Sequence, residues 1–86
     1  MENLETQVII KLNSIDKIYS FNNAAKVFTT EIDLSSKNNP RHRVDAKSIM
    51  GIFTLDLSAE LIVTLTNGIE ETEKDRFILA IAQFSI

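Results

Sequence analysis

Apolar and polar positions recur at two periods along the chain, and each change of period marks an element. Val8, Ile10 and Leu12 fall on one side of an alternating run, with Gln7 and Lys11 opposite and Ile9 the exception, so Thr6 to Leu12 reads as a strand. Asn13 and Ser14 then offer a helix cap, and the spacing lengthens. Ile18, Phe21, Ala25 and Phe28 recur at helical intervals, which predicts an amphipathic helix over Ile15 to Val27. Asn22 and Asn23 are weak helix formers inside it. Alternation returns over Phe28 to Ser35, with Thr30, Ile32 and Leu34 on one face and Glu31, Asp33 and Ser35 on the solvated one.

Residues Ser36 to Pro40 form a turn by composition, since this stretch holds the one proline of the chain. Arg41 to Val44 reads as a short polar strand suited to a sheet edge. A short helix follows, with Asp45 as its expected N-cap and Ser48 in its first turn. Ile49, Ile52 and Phe53 make an apolar stripe there, while Met50 falls off the stripe and points to solvent. Leu61 to Thr66 is the most strand-like run and ends at Asn67 and Gly68. Glu70, Glu71 and Glu73 crowd the start of a last helix, where negative charge suits the dipole. Phe77, Ile78, Ile81 and Phe84 give that helix its apolar side.

The resulting order, βαββαβα, predicts an α+β fold. Helices with one apolar stripe and strands with one apolar face imply an open-faced two-layer sandwich, a four-stranded, mostly antiparallel sheet with the helices on one face. Gln7, Lys11, Glu31 and Asp33 are expected on its open side. At 86 residues the chain is expected to form one domain over 1–86.

Composition narrows the chemistry. The net charge of −3 argues against direct nucleic-acid binding or an anionic membrane surface. Without cysteine there is no disulfide, thiolate catalysis or Cys-ligated metal. The lone His42 lacks the partners of a metal site, so neither metal nor cofactor is expected. No carboxylate pair, Ser/His/Asp set or glycine-rich phosphate loop can be read, so the chain is not expected to be an enzyme. The acidic start carries no apolar run, and no stretch approaches a membrane span, which makes the cytoplasm the expected location.

The element order and the run Lys47-Ser48-Ile49-Met50-Gly51-Ile52 together resemble HPr, the small phosphocarrier of the bacterial sugar phosphotransferase system, most closely its Gram-positive type. In that family a histidine at the N-terminus of the first helix, inside a Gly-(Ile/Leu)-His-(Ala/Thr)-Arg-Pro-Ala motif, receives phosphate from enzyme I. Here Ser14 stands at the histidine position, Asp16 at the arginine and Lys17 at the proline. A relay needs a nucleophilic imidazole nitrogen and a cation beside the phosphoryl group. A serine without a base does not supply the first, and Asp16 reverses the sign of the second.

By the same resemblance, Ser48 is a regulatory phosphorylation site for an ATP-dependent serine kinase. The modified family protein then binds a LacI-type repressor in carbon catabolite repression, and its partners grip the surface matched by Ile49, Met50 and Phe53. The resemblance thus implies a regulatory protein-binding module of the phosphotransferase system, with proteins as partners, that has ceased to be a carrier. Two alternatives remain open: a carrier that uses a non-standard residue, His42 or Ser14, and an interaction module that has lost both phosphosites. The departure at Asp56 to Glu60, where the family usually has glycines, predicts a differently shaped loop before the last strand.

Overall fold

The computed structural model describes residues 5–65 and 71–85. Its elements are β1 (Thr6–Ile10), α1 (Ile15–Lys26), β2 (Ile32–Ser36), β3 (Asn39–Asp45), α2 (Ile49–Ile52), β4 (Leu61–Leu65) and α3 (Glu71–Ile81), with a 3-10 turn over Ala82–Phe84. The expected turn at Asn67 and Gly68, the end of the strand at Thr66 and the helix start at Glu70 lie outside the described residues. No helix among the described residues is long and apolar enough to cross a membrane.

The four strands form one sheet in the order β1-β4-β2-β3, and every pairing is antiparallel. Val63 lies between Val8 and Leu34, so β1, β4 and β2 together carry the sheet's apolar face. Ile10, Leu34, Leu61, Val63 and Leu65 are buried there against Phe21 and Ala25 of α1 and Phe77 and Ile81 of α3. Each of these side chains other than Ala25 contributes roughly 1.5–3 kcal/mol by leaving water. Phe28 and Phe77 meet edge to face at 5.3 Å, and Phe21 meets Phe84 at 5.9 Å. These rings join α1 and the segment just after it to the C-terminal part of the chain, whose Phe84 carbonyl also accepts the N–H of Lys11, the residue after β1, at 3.0 Å.

Several boundaries differ from the sequence expectation, each for a local reason. Strand β2 starts only at Ile32, because Phe28 leaves the alternating run to pack on α3. The turn before β3 is tighter than expected, and Pro40 lies inside the strand. That position is tolerated because β3 is an edge strand, where a missing N–H breaks no interior ladder. Ser35, expected in water, is 2% exposed. It lies on an interior strand opposite Ile62, and its small side chain is covered by its neighbours. The outer face is therefore only partly open. Gln7 Nε2 donates to Thr64 Oγ1 at 3.4 Å, and Arg43 lies 3.5 Å from Glu5 and 3.8 Å from Asp33. Burial raises the Asp33 carboxyl above its ordinary value of 3.8, with Arg43 opposing the shift.

Candidate functional site

Ser48 is the N-cap of α2 rather than a first-turn residue. Its Oγ accepts the Gly51 N–H at 3.2 Å, and its carbonyl accepts the Ile52 N–H at 3.0 Å. The cap expected at Asp45 is used one step earlier. Asp45 closes β3, its Oδ1 accepts the Lys47 N–H at 2.9 Å, and its carbonyl accepts the Ser48 N–H at 2.9 Å. Two cap-type residues thus act in series, the aspartate shaping the turn and the serine opening the helix. The Ser48 side chain is exposed, and its hydroxyl proton is not committed by the bond from Gly51.

Gly51 makes this geometry possible. A Cβ there would stand 3.2 Å from Val44 Cβ and 3.3 Å from Ser48 Oγ, both tighter than an ordinary contact. The absent side chain lets β3 and the capping hydroxyl approach the helix together.

Of the surface residues named from the sequence, Met50 is 75% exposed, Phe53 43%, and Ile49 is half-buried against the core. Ile52 is the residue that anchors α2, being fully buried. Sequence reasoning missed two others. Tyr19 is 49% exposed and meets Phe53 across the α1–α2 junction, and Ile15 is also exposed. Ile15 and Tyr19 are four residues apart, the spacing of neighbours on a helix face. That spacing lies outside the buried stripe and was the signal available.

Ser14 caps α1, its Oγ accepting the Lys17 N–H at 3.2 Å. It borders a depression lined by Leu12, Asn13, Ile15, Ile18, Leu57 and Ser58, with no titratable side chain among the described residues of its wall. The single histidine lies elsewhere. His42 Nε2 is 3.1 Å from Thr54 Oγ1, and the Thr54 hydroxyl donates to the Gly51 carbonyl at 2.6 Å. With that proton spent, Thr54 can only accept from the imidazole, which places the His42 proton on Nε2. His42 thus bonds at the far end of α2 and does not join Ser14. Asp16 is exposed in the first turn of α1.

The loop before β4 is organised by Asp56. Its Oδ1 accepts from the Ser58 N–H and hydroxyl, at 3.2 and 2.6 Å, and its Oδ2 accepts from Asn38 Nδ2 at 2.6 Å. These bonds, the Ser58 hydroxyl first, hold the Asp56 carboxyl below the usual carboxylate range. A carboxylate with three donors thus shapes this turn.

An antiparallel sheet of this strand order, backed by three helices with a capping serine on the second, defines the HPr-like class of fold. The chain matches the PTS-HPr family model, described as the PTS HPr component phosphorylation site, over residues 18–85. It belongs to that family, the HPr phosphocarriers of the phosphotransferase system. The match begins past Ser14. The structure is similar to that of a phosphocarrier protein HPr from Bacillus anthracis str. Ames, with a TM-score of 0.68 and 21% identity over 100% of both chains. It is also similar to HPr-C-His from Thermoanaerobacter tengcongensis, with a TM-score of 0.64 and 28% identity over 96% of this chain and 92% of that one. No curated protein sequence matches the chain significantly.

Proposed function

We propose that this protein is an HPr-family member that has given up the carrier step and acts as a regulatory protein-binding module, switched by phosphorylation at Ser48. The observation that carries this reading is the bonding of Ser14, which matches the relay position by resemblance: its hydroxyl caps α1, and the chain's one imidazole is bonded to Thr54 instead. Among the described residues lining the depression at Ser14 none offers an imidazole nitrogen, and Asp16 would repel an incoming phosphoryl group.

At Ser48 the reaction is transfer of the γ-phosphoryl group of ATP to Oγ by a serine kinase. The O–P bond to ADP breaks as the new one forms, and the hydroxyl proton passes to the kinase's base. A phosphate there adds a charge of roughly −1.5 to −2 beside Met50 and Phe53. It changes the surface more than the fold, since the helix it caps is a single turn. The apolar patch of Ile49, Met50 and Phe53, extended by Tyr19, supports protein recognition as the remaining task. By family resemblance the partners are phosphotransferase-system proteins, a serine kinase and a LacI-type repressor, met in the cytoplasm. In this reading the protein has no catalytic activity of its own.

The test is incubation with an HPr serine kinase, ATP and magnesium, read by intact mass. One phosphoryl group is expected on the wild type and none on Ser48→Ala; an unmodified wild type defeats the switch.

A further inference from the structure

We propose that Asn22 is a positioning residue for Ser48, holding the turn from which α2 springs. Asn22 lies in the apolar stripe of α1 between Ile18, Phe21 and Ala25, and it is 2% exposed. An amide in such a stripe weakens the helix and resists burial unless it is bonded. Its Nδ2 donates to the Ala46 carbonyl at 3.1 Å, across 24 positions of sequence. The other side of Ala46 is held as well, since its N–H donates to the Ile32 carbonyl of β2 at 2.9 Å.

Ala46 is fully buried and stands two residues before Ser48. It is therefore clamped between the sheet, through its N–H, and α1, through its carbonyl. Asp45 and Lys47 close the turn on either side of it. The clamp fixes where the chain leaves β3 and so where the Ser48 hydroxyl stands over the Gly51 N–H. A leucine at position 22 would fill the same space and suit the stripe better, but it would leave the Ala46 carbonyl buried without its donor. The amide thus gives α1 a hold on the phosphoacceptor of α2.

This inference rests on the Ser48 reading only for its functional consequence, and the experiment separates the two. Amide hydrogen exchange is followed in wild type and Asn22→Leu at Ser48, Gly51 and Ile52, with Val63 of β4 as the reference for global opening. The positioning role predicts exchange faster by about tenfold or more at those three amides relative to Val63. A uniform change that Val63 shares overturns it. Where N22L does not fold, Asn22→Ala removes the amide without adding volume. The wild type itself must show a through-bond coupling between Asn22 Nδ2 and the Ala46 carbonyl carbon; its absence overturns the proposal. In the kinase assay, kcat/KM toward N22L is expected to fall about tenfold, and an unchanged value overturns the proposal. A wild type that takes no phosphate defeats the Ser48 reading alone and leaves the exchange result to decide Asn22.

Discussion

Tyr19 on α1 and Phe53 at the end of α2 meet edge to face, with ring centroids 6.3 Å apart and planes inclined at 69°. Both rings are about half exposed, so the pair closes the junction between two helices while presenting aromatic surface to solvent. Such pairs contribute about 0.5–1.5 kcal/mol beyond area burial and suit a protein-binding surface. Tyr19→Ala is therefore expected to lower stability by about 1 kcal/mol and to weaken partner binding more than it weakens the fold. Met50→Asp is expected to abolish binding with a stability change within about 0.5 kcal/mol. Calorimetric titration of a LacI-type repressor or a serine-kinase partner against each variant, beside thermal melts, checks both expectations.

The cap at Ser48 and the space at Gly51 are one device, and their mutational effects should not add. Ser48→Ala is expected to cost about 1 kcal/mol as a lost N-cap. Gly51→Ala crowds Val44 Cβ and the Ser48 hydroxyl and is expected to destabilise by a similar amount, despite alanine's better helix propensity. Once G51A has displaced the hydroxyl, removing that hydroxyl takes away little more. The double variant measured by urea unfolding should thus lose about 0.5 kcal/mol less than the sum of the singles. Simple additivity would separate the two residues.

Two aspartates are expected to move stability in opposite directions with pH. The Asp33 carboxyl is raised above 3.8, chiefly by burial, so the folded state holds its proton more tightly than the unfolded chain. Its ionised form opposes folding, and the penalty grows as pH rises through the interval between 3.8 and the raised value. Asp33→Asn should therefore melt higher than wild type at neutral pH and lose that advantage below about pH 4. Asp56 is lowered by its bonds from Ser58 and Asn38, so its contribution is present above 3.8 and disappears as pH falls through the depressed value. Asp56→Ala should melt below wild type at neutral pH and match it in strong acid. Melting curves of the two variants across pH check the signs.

Phe77 joins α3 to Phe28 and the sheet from a fully buried position. Phe77→Ala is expected to cost about 3–5 kcal/mol, a large share of the roughly 5–15 kcal/mol that holds a small domain together. The variant should melt far below wild type or fail to fold, as circular dichroism would report. Retention of the wild-type melting temperature would mean that α3 contributes little to the core.

Much of this architecture is legible in the spacing of apolar residues, and the exceptions have physical causes. Ile18, Phe21 and Ala25 declare α1, and Ser14 declares its start, because both signals are local. At α2 two cap-type residues stand three apart, and periodicity over a single turn cannot choose between them. The backbone uses Asp45 for the turn and Ser48 for the helix. Alternation assigns Ser35 to a sheet face but says nothing of its flanking strands, which are what bury it. Pro40 has the composition of a turn, and only its place on an edge strand admits it to β3. Asn22 reads as a poor helix former, since its partner Ala46 comes close only in the folded chain. Tyr19 stays hidden for the same reason. Its aromatic partner belongs to another helix.

Intact mass after incubation with phosphoenolpyruvate and enzyme I, set beside incubation with ATP and a serine kinase, tests most directly whether relay has been replaced by recognition. One phosphoryl group from the kinase, absent in Ser48→Ala, together with none from enzyme I, is the predicted result. A phosphoryl group acquired from enzyme I and lost in His42→Ala or Ser14→Ala would contradict it.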